Sequence, residues 1–128
     1  MNSSNRTLFE NSKYRLYSIY ENVYLKSKDD LDEKEDVFVT SVYGDPDSGL
    51  ISSGNNYIAV AGCGITIHFL TDRDSYELGT DPENILWTEG IYQSDEEDFN
   101  FVRFTAYTEE NKIRVHRLDV FERKVEIL

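Results

Sequence analysis

The chain has 128 residues and carries 25 acidic against 13 basic side chains, a net charge of −12 at neutral pH. That length fits one domain whose core needs neither disulfide nor structural metal, and nine Tyr, seven Phe and one Trp supply large buried areas that disordered chains lack. The acidity argues against direct nucleic-acid binding, because phosphates would be repelled, and against anionic membrane surfaces for the same reason.

In chain order, residues 2–12 promise at most one short N-terminal helix, with Ser4 as its cap. From Tyr14 to Leu25 the composition favours a β-segment. Residues 29–36 break it with a polar run whose single apolar member is Leu31. Val37 to Tyr43 reads as a strand ending in Gly44-Asp45-Pro46-Asp47-Ser48-Gly49, which is turn chemistry throughout. Tyr57 to Leu70, with Gly62-Cys63-Gly64 at its middle, is a hairpin signal. A short polar turn then leads through 76–78 into a second loop containing Gly79 and Asp81-Pro82. Asn84 to Tyr92 fits either a strand or a helical turn. Phe99 to Tyr107 and Ile113 to Leu118 flank Glu109-Glu110-Asn111 as a further hairpin, and a last strand runs from Val120 to Leu128. The expected fold is all-β and mainly antiparallel: a single domain over residues 1–128, built as a meander, sandwich or open barrel of short hairpins.

Residues 65–70 and 113–118 share the pattern I-x-[I/V]-H-x-L at a separation of 48 residues. The echo is similar to the blade grammar of β-propellers, but the chain is too short to close four blades. It therefore points to repeated antiparallel meanders.

The acidity is concentrated. Residues 29–98 hold 18 acidic and two basic side chains, whereas residues 1–28 and 99–128 are net positive. One cluster comprises Asp29, Asp30, Asp32, Glu33, Glu35 and Asp36, and a second comprises Asp95, Glu96, Glu97 and Asp98. Concentrated charge steers a basic partner toward its docking site. Trp87, Tyr92 and Phe99, near the second cluster in sequence, are the expected aromatic anchors. These residues together are the expected partner-binding set.

No catalytic machinery is expected. His68 and His116 each alternate with apolar strand neighbours, which would leave both on outer sheet faces. An EF-hand loop needs glycine at its sixth place, where counting from Asp29 gives Lys34 and from Asp95 gives Asn100. One Cys and two His are too few for zinc, and Gly62-Cys63-Gly64 lacks the lysine and helix of a phosphate loop. No metal or cofactor is implied. The single thiol, Cys63, suits a reducing compartment. With no secretion-type apolar segment at the N-terminus and no membrane-length apolar run, a cytoplasmic protein is expected.

In size, acidity and lack of motifs the chain resembles the immunity proteins of bacterial contact-dependent inhibition and related polymorphic toxin systems. The resemblance implies tight binding to one cognate toxin, often a nuclease such as an RNase, by occlusion of its positively charged active site. Two other classes share the composition: a phage-type inhibitor that mimics nucleic acid, and an interaction module without inhibitory activity.

Overall fold

The computed structural model describes residues 5–28, 36–94, 100–108, 110 and 112–128. Among these, twelve strands form three antiparallel four-stranded meanders. The first sheet contains β1 (Asn5–Glu10), β2 (Tyr14–Ile19), β3 (Asn22–Ser27) and β4 (Val37–Ser41). The middle sheet contains β5 (Ser48–Ile51), β6 (Tyr57–Gly62), β7 (Gly64–Phe69) and β8 (Ser75–Leu78). The third contains β9 (Thr88–Tyr92), β10 (Phe101–Tyr107), β11 (Ile113–Asp119) and β12 (Lys124–Ile127). The I-x-[I/V]-H-x-L echo occupies β7 and β11, each the third strand of its sheet.

The period-2 pleat of β6 explains the stacking. Ile58 and Val60 pack toward the first sheet with Leu16, Val23, Leu25 and Val39. Tyr57, Ala59 and Ala61 point the other way, into a core with Ile65, Ile67, Val102, Phe104 and Leu118. All six residues of β6 are buried. Each large side chain so enclosed contributes about 1.5–3 kcal/mol, and the middle sheet collects this on both faces. The opening strands β1, β5 and β9 lie next to one another in turn, and Phe9 of β1 packs against both cores.

Meander connectivity sorts the connections to two ends of the stack. One end holds the β2–β3 turn at Tyr20, the β4–β5 connection, the Gly62-Cys63-Gly64 turn and the residues leading into β9. The other holds the turns at 11–13, 52–56, 70–74 and 120–123. There Asn11 Nδ2 donates to Asn55 Oδ1 at 3.0 Å, and Leu70 N donates to Asn56 O at 2.9 Å. Residues 29–35 and 95–99 lie outside the described residues.

Three expectations need correction. Residues 5–10 are strand β1 and contain no helix, because Leu8 and Phe9 both pack against the cores. A register shift between Thr7 and Phe9 breaks the alternation that would have marked this strand. The stretch 14–25 is two strands, reversing at Tyr20, which adopts φ +54°. Finally, neither histidine sits on an outer face. His68 is buried because the middle sheet is covered on both sides, and His116 is buried because its ring stacks on Phe104 at 5.4 Å. The outward side of β11 carries Ile113 and Val115 instead.

Candidate functional site

Where strands of all three sheets begin or end, the backbone is fastened by one hydroxyl. Thr88 Oγ1 accepts from Gly62 N at 2.7 Å and donates to Gly64 O at 2.6 Å. Gly64 N donates to Leu86 O at 2.7 Å, and Cys63 and Trp87 form a backbone bridge. The main chain of Trp87 is thereby locked to the β6–β7 turn while its indole projects outward, 49% exposed. The indole lies against Tyr43, with ring centroids 6.2 Å apart. Tyr43 is itself 68% exposed.

Trp87 lines an open cavity of about 390 Å³ with Arg6, Gly44–Asp47, Gly62, Thr88 and Glu89. A second hollow of about 240 Å³ continues from it past Arg6 and Pro46 to Tyr20, which is 70% exposed. A third, of about 140 Å³, continues from Trp87 and Glu89 to Tyr107 and Ile113. The first shares lining residues with each of the other two, so the three adjoin as a groove across the end of the stack, with Tyr20, Trp87 and Tyr107 among their lining residues.

Its rim is acidic. Asp47 accepts from Gly90 N at 2.8 Å, Glu21 caps Gly44 N at 2.9 Å, and Asp45 and Glu89 line the cavity. Arg6 is the one cation among the described lining residues. Its guanidinium donates to the carbonyls of Pro46 and Asp47, so it serves the β4–β5 connection. Such a groove can hold an extended segment that brings cationic groups to the rim and apolar or planar groups to the rings.

Of the partner-binding set expected from sequence, Asp36, Trp87 and Tyr92 are among the described residues. Trp87 is in the groove, but Tyr92 lies at the far end of β9, opposite Arg103. A five-residue strand separates the two positions by roughly 17 Å. Asp36 accepts a hydrogen bond from Tyr17 Oη and lies 3.8 Å from Lys26 Nζ, so it is engaged by the first sheet. Asp29, Asp30, Asp32, Glu33, Glu35, Asp95, Glu96, Glu97, Asp98 and Phe99 lie outside the described residues. Sequence reasoning missed Tyr20, Tyr43, Asp45, Asp47 and Glu89. A signal existed in the run Tyr43-Gly44-Asp45-Pro46-Asp47, where an aromatic and two carboxylates share a turn.

The two imidazoles are kept apart: His68 faces the first sheet and His116 the third-sheet core, on opposite sides of the middle sheet. Burial pushes the His68 pKa down, assisted by Arg73 and opposed by Asp72. His116 Nδ1 is 3.0 Å from Arg114 O. Cys63 is buried, and that burial, with Glu77 nearby, pushes its thiol pKa up; such a thiol is a poor nucleophile. Among the described residues no group of three His, Cys, Asp or Glu side chains is placed to hold a metal ion.

No family model matches the chain, and neither a curated protein nor a solved structure does.

Proposed function

We propose that this chain is an acidic binding protein that neutralises a basic protein partner, and that the partner docks in the aromatic groove at the Trp87 end. The observation that carries the proposal is the run of exposed rings from Tyr20 through Tyr43 and Trp87 to Tyr107, bordered by Asp45, Asp47 and Glu89. Exposed Trp and Tyr are the side chains most enriched among binding hot spots, and carboxylates at a rim favour a cationic partner. A nuclease toxin suits this surface, since its active site must be positive to hold nucleic acid. Inhibition would be occlusion, with partner Lys and Arg side chains drawn to the carboxylates and away from phosphate. This is the activity implied by the resemblance to immunity proteins. The acidic runs 29–36 and 95–98 of the sequence would add long-range attraction for a basic partner.

The test is capture from native lysate at low and moderate salt, followed by a nuclease assay on the purified partner with and without this chain. One basic protein is expected, retained less well as salt rises and inhibited when bound. Trp87→Ala should cost about 2–4 kcal/mol of binding with the fold intact. Recovery of no basic protein at either salt rejects the function. Full inhibition by Trp87→Ala, or by Asp45→Asn with Glu89→Gln, rejects the groove as the contact.

A further inference from the structure

Strand β12 is an edge of the third sheet, and exposed apolar side chains gather beside it. Phe121, Val125, Ile127 and Leu128 are all exposed within eight residues, Val125 by 42% and Ile127 by 54%. The ladder with β11 pairs Lys124 with Asp119, Val125 with Leu118, Glu126 with Arg117 and Ile127 with His116. Leu128 N donates to Val115 O, which fixes the alternation. Residues 124, 126 and 128 direct their backbone groups to β11, so Val125 and Ile127 direct theirs outward. Among the described residues nothing satisfies those outward groups. An edge of this kind is a template for strand addition.

We propose that β12 pairs with β12 of a second copy of this chain, antiparallel and centred on Val125, joining two third sheets into one eight-stranded sheet. Charge complementarity favours this occupant and, among centres at Lys124, Val125 and Glu126, this register. With Val125 opposite Val125, the outward N–H and C=O of each exchange two hydrogen bonds across the two-fold axis. Lys124 then stands opposite Glu126 of the second copy, and Glu126 opposite its Lys124. Centring on Lys124 or Glu126 would instead set like charges face to face, which destabilises a cross-strand pair. A slip of one residue would also turn the apolar side of the strand over. The neighbouring Arg123 leaves the edge clear: its guanidinium lies over the Tyr76 ring at 4.4 Å and reaches Asp74 at 4.0 Å. The pairing is isologous, as a closed two-fold dimer requires.

Sedimentation velocity of the whole chain across a micromolar to submillimolar dilution series tests this, with Lys124→Glu and Glu126→Lys made separately. The wild type is expected to dissociate reversibly on dilution. Each variant alone sets like charges opposite one another twice per dimer and should require about tenfold higher concentration or more to associate. Mixing the two variants restores opposite charges at both positions, so the mixture should dimerise where neither variant does alone. Circular-dichroism melts verify that each variant is folded, which matters because Glu126 also pairs with Arg117. A wild type that stays monomeric throughout overturns the proposal. So does a dimer whose affinity neither variant changes, or a mixture that associates no better than its components.

Discussion

His68 shows how burial on both faces of the middle sheet acts on one side chain. Its folded-state pKa lies below the ordinary value of 6.5, chiefly through burial, so the unfolded chain takes up a proton near pH 6.5 that the folded chain refuses. The contribution to stability is complete above the unfolded value and is lost as pH falls below it. Thermal melts should therefore show a midpoint that declines between pH 6.5 and about 5.5, before most carboxylates titrate. His68→Gln should flatten that decline. An equal decline in the variant would mean that another group controls it. The burial of His68 and His116 was hard to read from sequence, because alternation gives the two sides of a strand but not which sides are covered. Tyr20 eluded sequence reading for a related reason. The reversal at Tyr20-Glu21 contains neither Gly, Asn nor Pro, and a tyrosine at φ +54° is uncommon enough that no residue type announces it.

Among the elements, the β6–β7 hairpin was the most legible, because its turn depends on glycine. Gly64 has φ +66°, and a Cβ there would stand 2.2 Å from Leu78 O and 2.8 Å from Gly79 C. Gly90 has φ +62° but open space around the added atom. The two positions separate backbone strain from steric overlap. Gly90→Ala should cost about 1 kcal/mol. Gly64→Ala should cost about 3 kcal/mol or more, since the opposing atoms are main chain. Urea titrations of both variants check this; equal losses would show that overlap at Gly64 is relieved by movement of β8. Short elements were less legible. β1 conceals its alternation behind a bulge, β5 begins inside the Gly44–Gly49 turn signal, and β8 spans four residues, none of them fully buried.

At the scale of the molecule, the all-β class and the meanders were legible in strand spacing and in the 48-residue echo. The candidate site was only partly so. Trp87 was singled out from sequence, but its groove neighbours come from all three sheets, and proximity in sequence linked it with Asp95–Asp98 instead. Tyr92, the last residue of the intervening strand, lies at the other end of the stack. Which end a connection reaches depends on counting every strand before it, and missing β1 and β5 upsets the count. The charge also becomes easier to interpret: Arg15, Lys26, Arg103 and Arg117 sit on the outer faces of the first and third sheets. Arg15 covers the Tyr17 ring at 5.0 Å and Arg117 the Phe101 ring at 4.7 Å.

The middle sheet belongs to two cores at once, and this determines how the molecule comes apart. Were the first sheet to detach alone, Ile58 and Val60 would be stripped to water. Were the third to leave, Tyr57, Ile65 and Ile67 would be. Either loss removes half the burial that holds β6 and β7 in place, so a partly dismantled chain is poorer than both the intact and the unfolded ones. Differential scanning calorimetry should accordingly record a single peak whose calorimetric and van't Hoff enthalpies agree. Separate peaks would mean that the two cores melt independently. A chain that melts as one unit transmits damage in either outer sheet to the opposite face, so a nick or substitution far from the groove lowers the fraction of molecules in which the groove is intact.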